Sequence, residues 1–173
     1  GLYEAMGRGE VSGFSVPAIN VRGLTYDTAR ATFRAALKNN VGAFIFEIAK
    51  SEMNYTDQSP YEYTCVVIAA AIKEGFQGPI FIQGDHFQMS AKNFAANRQK
   101  EIDGLKDLMK CAIDAGFYNI DIDSSTLVDL SKPAIVEQQR PNFEAAAEIT
   151  EYIRDIEPEG VTISVGGEIG EVG

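Results

Sequence analysis

Short apolar runs alternate along this chain with longer segments in which apolar residues recur at helical spacing. The apolar runs predict five strands, at residues 13–21, 42–49, 79–85, 118–123 and 161–166. The segments between them predict four long helices, at residues 26–39, 60–74, 102–115 and 143–156. Strands that alternate with helices of this length pair in parallel through right-handed crossovers. The pattern therefore predicts an α/β fold.

Four of the apolar runs end at or near a carboxylate. These carboxylates are Glu47, Asp85, Asp123 and Glu168. The first three lie 38 positions apart and the fourth follows after 45, so each strand–helix unit supplies one acid. Barrels of alternating strands and helices place their chemistry at the carboxyl ends of the strands. The spacing predicts a (β/α)8 TIM barrel with an acidic mouth, of which this chain supplies about the first five strands.

The third run ends in Asp85-His86, and His86 is the only histidine in the chain. An apolar run that stops at an acid and an imidazole predicts a buried strand that delivers two reactive side chains at its carboxyl end. Side chains alternate along a strand, so Asn119, Asp121 and Asp123 share one face of the fourth strand. We expect these polar faces to point into the barrel and the aliphatic faces to lie under the helices.

Composition narrows the class of protein. The apolar content of 45% is sufficient for one core, and 173 residues predict a single domain over 1–173. A formal net charge of -10 argues against nucleic acid and anionic membranes as partners. No signal-peptide pattern or bilayer-length apolar run is visible. Cys65 and Cys111 lack metal or disulfide spacing, which indicates reduced thiols and a cytoplasmic protein.

Four motifs, in order, resemble those of the class II, zinc-dependent fructose- and tagatose-bisphosphate aldolases. The residues at 16–21 read VPAINV where that family has V-P-A-F-N-V, and those at 83–86 read QGDH where it has H-x-D-H. The segment 115–125 is similar to the family's A-G-F-x-x-V-M-I-D-G-S, and 165–173 is similar to its V-E-x-E-L-G-x-x-G-G. The resemblance covers nearly the whole chain.

The resemblance implies an enzyme that reversibly cleaves a ketose bisphosphate, such as fructose 1,6-bisphosphate, into dihydroxyacetone phosphate and an aldehyde phosphate. It implies Asp85 as the acid/base at the substrate's C4 oxygen. It also implies a Zn²⁺ cofactor, or another divalent metal, that stabilises the enediolate as a Lewis acid. Lastly, it implies a homo-oligomer. The metal ligands expected from it are His86, Glu168 and Asp123. The expected substrate-binding residues are Asn20, Glu47, Ser125, Gly170 and Gly173.

The sequence departs from the family at several of these positions. Gln83 replaces the first histidine of H-x-D-H, and Gly166 replaces the first glutamate of E-x-E. Glu47 and Ala49 stand where the family often has Gln and a phosphate-contacting Ser. The G-D-H form with a second-strand Glu also resembles the non-catalytic companion subunits of tagatose-bisphosphate aldolases. A third interpretation is another phosphate-binding barrel lyase or isomerase that holds Mg²⁺ in the acidic mouth.

Five strands do not close a barrel, which normally takes roughly 250 residues, and one histidine does not make a three-histidine zinc site. We therefore expect the chain to be the amino-terminal half of a longer protein, whose other half completes the site. Within the chain, residues 88–100 predict an inserted, solvated loop. Lys92, Arg98 and Lys100 lie in it, with phosphate binding as the less favoured role.

Overall fold

The computed structural model describes residues 2–170. Its helices are α1 (Leu2–Gly7), α2 (Thr25–Asn39), α3 (Lys50–Thr56), α4 (Pro60–Glu74), α5 (Ala91–Ala96), α6 (Arg98–Asp114) and α7 (Ile135–Ile156), with a 3-10 turn at Ser125–Leu127. Its strands are β1 (Ala18–Asn20), β2 (Ile45–Ala49), β3 (Phe81–Asp85), β4 (Asn119–Ile122) and β5 (Ser164–Gly167). The alternation of strands and helices is the one that the sequence predicts.

The five strands form one parallel sheet in the order β1-β2-β3-β4-β5. Ala49, the last residue of β2, is paired with Asp85, the last residue of β3. The carboxyl ends of neighbouring strands therefore lie along one edge of the sheet. The predicted α/β class and parallel pairing are confirmed.

Strands β1 and β5 begin later in the chain than predicted, because the residues directly before them donate no backbone hydrogen bond to the neighbouring strand. Pro17, which precedes β1, has no N–H to donate to a neighbouring strand. Before β5, the backbone N–H of Ile163 donates to Glu157 Oε2 at 3.0 Å, and its carbonyl accepts from Arg154 Nη1 at 2.8 Å. Side chains of α7 and of the turn after it thus hold the approach to β5.

Helix α4 begins and ends as the sequence predicts. The Ser59 hydroxyl accepts from the backbone N–H of Glu62, and Pro60 occupies the first turn, where a missing N–H is harmless. Gly75 ends the helix with φ 72°, a left-handed conformation that suits glycine.

Helix α7 begins at Ile135 rather than near residue 143, and it runs through Pro141. Tertiary hydrogen bonds hold its first turns. The side chain of Gln138 donates to the carbonyl of Lys132 at 2.8 Å, and Asn142 bonds the loop after β4. These contacts compensate for the N–H that proline lacks.

The expected loop at 88–100 is wrong, because the segment folds. The Ser90 side chain caps α5, and Asn97 caps α6. The Arg98 guanidinium binds Glu148 of α7 at 2.6 Å, so its charge is already paired. Lys92 and Lys100 remain exposed to solvent. Helix α3, which begins directly after β2, was not predicted.

The core lies between the sheet and the helices that cover it. Phe33 of α2 packs against Phe46 and Phe76 with ring centroids 5.0 and 4.8 Å apart. The aliphatic face of β4, Ile120 and Ile122, is 1% exposed. Each such side chain contributes about 1.5–3 kcal/mol when fully buried. Among the described residues, no helix is both long and apolar enough to cross a bilayer.

Substituting Gly84 by alanine is expected to destabilise the fold. Gly84 precedes Asp85 in β3, and a Cβ there would overlap the Phe87 ring, which is fully buried. We expect Gly84→Ala to lower the free energy of unfolding by about 1–3 kcal/mol, as overpacking typically does. Urea unfolding followed by circular dichroism measures it. Gly42→Ala, where a Cβ meets nothing within 4 Å, is the control. Equal midpoints for the two variants would contradict the packing argument.

Candidate functional site

The carboxyl edge of the sheet gathers the acids that the sequence singles out. Glu47 is the third of the five residues of β2, and Asp85 is the last residue of β3. Asp123 and Glu168 come directly after β4 and β5. Parallel pairing without strand reordering brings the four together, as predicted from their spacing.

His86 sits in the middle of these acids. Its Nδ1 lies 3.1 Å from Asp123 Oδ2 and 3.4 Å from Glu168 Oε1. Its Nε2 lies 3.8 Å from Asp85 Oδ2. The imidazole is 44% exposed, so one side of it faces solvent. The single histidine thus contacts carboxylates from three strand ends.

The backbone at His86 adopts a conformation that is unusual for a non-glycine residue. Its φ is 44°, in the left-handed region. The backbone N–H of His86 donates to Asp121 Oδ2 at 3.2 Å, and the next N–H, of Phe87, donates to the Asp121 carbonyl at 3.1 Å. Asp121 therefore holds the turn that aims the imidazole at the acids. Strained residues of this kind concentrate at functional sites.

Asp123 is a buried carboxylate whose hydrogen-bond donors keep it ionised. It is 1% exposed, and Oδ1 accepts from the Ser125 hydroxyl at 2.6 Å. Its Oδ2 accepts from the Gln88 side-chain amide and contacts His86 Nδ1. Burial alone would raise the pKa of Asp123, but these hydrogen bonds and the His86 charge lower it below its usual value.

Three neighbouring acids have the opposite shift. Burial, the largest cause, raises the pKa of Glu47, Asp85 and Asp121 above their ordinary values. Repulsion from other carboxylates adds to this, and for Glu47 and Asp85 the charge of His86 opposes it. A carboxyl group with a raised pKa beside a cleft can both accept and return a proton. Asp85 has this property.

The site carries more negative charge than its own residues neutralise. Burial lowers the pKa of His86, but the Asp123 hydrogen bond and the charges of Asp85 and Glu168 outweigh it, so the net shift is upward. Two overlapping groups can hold a cation. Ligand atoms of Asp85, His86 and Asp121 lie within 4.8 Å of one another, and so do those of His86, Asp123 and Glu168.

An open cleft of about 360 Å³ lies beside these acids. Asp85, Asp121 and Glu168 line it, together with Gly166 and Gly167 of β5. Ser164 and Val165 of β5 line it as well, whereas the two glycines add no side chain at the end of that strand. The cleft gives a small polar molecule access to the Asp85 carboxyl group.

The predicted substrate-binding residues are already engaged. The Glu47 carboxylate accepts from Gln83 Nε2 at 3.1 Å. Ser125 is bonded to Asp123, and Gly170 passes so close to Ser125 that a Cβ on it would meet the serine Cβ at 2.7 Å. Gly173 lies outside the described residues.

Glu52, which sequence reasoning missed, organises the β1 and β2 ends of the site. It is 6% exposed, and its carboxylate accepts from Asn20 Nδ2 at 2.8 Å, Arg22 Nη1 at 2.6 Å and the Ala49 N–H at 2.9 Å. Burial opposes ionisation, but these bonds lower the pKa of Glu52. The predicted substrate residue Asn20 is thereby fixed in place. An acid three residues beyond a strand end was the available signal.

A second, smaller pocket of about 200 Å³ adjoins the imidazole. Lys50, Ser51 and Asn54 of α3 line it, together with His86 and Ser90. The Lys50 ammonium donates to the Gln88 carbonyl at 2.8 Å. Within residues 2–170 it forms no salt bridge, so its charge is available to an anion.

Comparison with known proteins supports the fold alone. No protein-family model matches the chain, and no curated protein sequence matches it. Among solved structures it is similar to a protein described as a probable tagatose 6 phosphate kinase from Sinorhizobium meliloti 1021. The TM-score is 0.56 and the identity 14%, over 92% of this chain and 41% of that one. The chain thus spans less than half of that protein and shares its α/β architecture.

Removing the Asp123 charge is expected to lower the pKa of His86. In chelator-treated protein, we expect the sole histidine to titrate above 6.5, its ordinary value, because the carboxylates favour the imidazolium. Asp123→Asn lowers that pKa.

The pairing also makes stability depend on pH. The protonated imidazole contributes stability below the unfolded-state pKa of His86, and this contribution is lost as pH rises through the folded-state pKa. Proton NMR titration of the His86 imidazole, assigned by its loss in His86→Gln, measures the folded-state pKa, with the exposed Asp114→Asn as control. An unchanged pKa in Asp123→Asn would refute the pairing.

Proposed function

We propose that the chain is part of a metal-dependent aldolase that cleaves a ketose bisphosphate. The observation that carries this proposal is the position of Asp85. Its carboxyl group has a raised pKa, faces the open cleft, and lies 3.8 Å from the imidazole that also contacts Asp123 and Glu168. A proton-transfer group thus stands beside a group of metal-ligand type.

The residues present fit a divalent cation. His86, Asp123 and Glu168 offer one imidazole nitrogen and two carboxylates, a donor set that suits Zn²⁺ and also Mn²⁺ or Mg²⁺. Burial and, after it, repulsion from neighbouring carboxylates raise the pKa values of three nearby carboxyl groups, and a bound dication would favour their ionised forms. When bound, Zn²⁺ would act as a Lewis acid that withdraws electrons from the substrate's carbonyl side.

In this proposal, Asp85 moves the proton of the reaction. Its carboxylate takes the proton from the C4 hydroxyl of the ketose, and the C4–O electrons form the aldehyde carbonyl as the C3–C4 bond breaks. The electron pair of that bond passes to the dihydroxyacetone phosphate half as an enediolate. The raised pKa of Asp85 makes its carboxylate a better base than a solvated aspartate.

The Lys50 pocket is our candidate for one phosphate of the substrate. Ala49 lacks the hydroxyl that the aldolase family often places at that strand position. The Lys50 ammonium, which forms no salt bridge within residues 2–170, and the side chains of Ser51 and Asn54 supply donors beside it, next to His86. Phosphate is bound by such charge-assisted hydrogen bonds.

The five-stranded sheet is proposed to be the first part of a (β/α)8 barrel. Its strands follow the chain order that such a barrel requires, and β1 and β5 are its two open edges. Further strands joining those edges would supply additional metal ligands and enclose the cleft. Zinc, a cytoplasmic location and a homo-oligomeric state remain predictions from the sequence.

One observation favours the alternative of a non-catalytic companion subunit. The Gln83 side chain, where the aldolase family has a histidine, is bonded to Glu47. A glutamine in that role provides neither a metal ligand nor a proton carrier at neutral pH. Metal analysis of the purified complete protein distinguishes the three candidate functions. Zinc indicates the aldolase, magnesium indicates another lyase or isomerase, and no metal indicates the companion subunit.

The complete protein is expected to cleave fructose 1,6-bisphosphate in a zinc-dependent manner. Activity should disappear on chelation and return with zinc. Asp85→Asn should lower kcat by about 10²–10⁴-fold while zinc content stays the same, because the variant loses only the proton acceptor. A coupled assay for dihydroxyacetone phosphate and elemental analysis measure the two quantities. Asp107→Asn, an exposed position on α6, is the control. Full activity in Asp85→Asn would eliminate the proposed acid/base.

Lys50→Met is expected to weaken substrate binding more than turnover. Loss of a charge-assisted hydrogen bond to phosphate should raise KM by about tenfold, with a smaller effect on kcat. Lys50→Arg should recover part of the loss, because it keeps the charge. Steady-state kinetics measure both variants beside Lys92→Met, an exposed lysine of α5. If KM stays at the wild-type value in Lys50→Met, the phosphate lies elsewhere.

A further inference from the structure

Helix α4 is apolar on two opposite faces. One face is in the core, where Tyr63, Val67 and Ala70 are fully buried. The other face is an exposed stripe made of Tyr61, Cys65, Ile68 and Ile72. These four positions are spaced i, i+4, i+7 and i+11, so they form one line along the helix. Tyr61, Ile68 and Ile72 are 53%, 42% and 74% exposed. A continuous apolar stripe of this kind marks an interaction surface.

Completion of the sheet does not cover this stripe. Helix α4 connects β2 and β3 and packs against α2 on one side and α6 on the other. It therefore lies in the middle of the helical layer. The open edges of the sheet are β1 and β5, so a strand that joins one of them lies beyond α2 at one end of the helical layer or beyond α7 at the other. The occupant must come from outside this layer.

The stripe is complementary to a second, antiparallel copy of itself. Its midpoint lies between Val66 and Val67. A two-fold axis through that point, perpendicular to the helix, places Tyr61 opposite the partner's Ile72 and Cys65 opposite the partner's Ile68. Every apolar member then meets an apolar member. An isologous interface requires this property, because each residue must face its own symmetry equivalent or pair reciprocally with another.

Charge favours the same antiparallel arrangement. Glu62 lies in the first turn of α4 and Lys73 in the last, on the same flank of the stripe. Both are exposed, and neither forms a salt bridge within the part of the chain that the structure describes. The two-fold axis brings Glu62 near the partner's Lys73, and the reverse pair forms by symmetry. The antiparallel helices also oppose their macrodipoles favourably.

We propose that α4 is a homodimer interface in which two copies of this chain pack antiparallel about an axis between Val66 and Val67. The stripe of Tyr61, Cys65, Ile68 and Ile72 forms its apolar centre. The reciprocal Glu62–Lys73 pairs lie at its rim and fix the orientation. The proposal does not depend on the chemistry at the carboxyl edge of the sheet.

Cys65 reports on this geometry directly. In the proposed dimer Cys65 lies opposite the partner's Ile68, three residues from the partner's Cys65. The two cysteines are therefore offset by about 4.5 Å along the helix axis. Packed helices have axes about 8–10 Å apart, so the two thiols face each other near the axis at a separation that a disulfide can bridge. The chain's other cysteine, Cys111, lies on α6 and is half-buried.

The first test is cross-linking of the complete protein with copper phenanthroline, analysed on non-reducing gels. A disulfide dimer is expected in wild type and in Cys111→Ser, and none is expected in Cys65→Ser. Sedimentation velocity then tests the stripe. Ile72→Glu should raise the dimer dissociation constant by about 100-fold or more, because it places a carboxylate in an apolar contact. Ile135→Glu, at an exposed isoleucine in the first turn of α7, should not change it.

The orientation has its own test. Glu62→Lys should weaken the dimer, and Lys73→Glu added to it should restore the dimer, because the double variant exchanges both charges across the axis. Circular dichroism confirms that each variant is folded. The proposal is overturned if wild type sediments as a monomer, if Ile72→Glu leaves the dimer intact, or if cross-linking persists without Cys65. Failure of the charge exchange to restore the dimer overturns the antiparallel arrangement.

Discussion

The burial of several carboxyl groups at the carboxyl edge of the sheet is the constraint on which this structure depends. Parallel pairing in chain order brings acids from successive strand ends into one place, where burial raises the pKa of Glu47, Asp85 and Asp121. Like charges in a partly buried site disfavour folding unless they are protonated, hydrogen-bonded or paired with a cation. Two of these solutions are visible here. The raised pKa values mark the first, and the donors around Asp123 mark the second.

The donors around Asp123 also connect the site to the helical layer. The Ser124 hydroxyl donates to the side-chain oxygen of Asn142 at 2.5 Å, and the Asn142 amide donates to the Glu168 carbonyl at 2.9 Å. One buried asparagine of α7 thus fixes the loops after β4 and β5 against each other. The position of Glu168 relative to His86 follows from that link. Helix α7 therefore helps to position the site through Asn142.

Sequence reasoning located the five strands because a buried strand is itself a run of apolar residues in the sequence. It did not locate Glu52, whose role depends on three partners from β1, β2 and the segment after β1. The start of α7 was wrong: the pattern predicted a helix from residue 143, but the helix begins at Ile135, where hydrogen bonds to distant residues hold its first turns. The left-handed φ of His86 follows from the Asp121 side chain, 35 positions away, and has no local signal. Tertiary polar contacts are what the sequence pattern did not contain.

The helical layer and the carboxyl edge of the sheet differ in the kind of ligand that they suit. The helical face carries the apolar stripe of α4, where the sequence repeats at helical spacing and polar partners are few. The carboxyl edge concentrates charge and strain, and its acids are satisfied only through partners such as Gln88 and Ser125. An edge that repels itself stabilises any cation that enters it, since binding then lowers the pKa of every raised carboxyl group. The acidic edge therefore suits a charged ligand, and the α4 stripe suits an apolar surface.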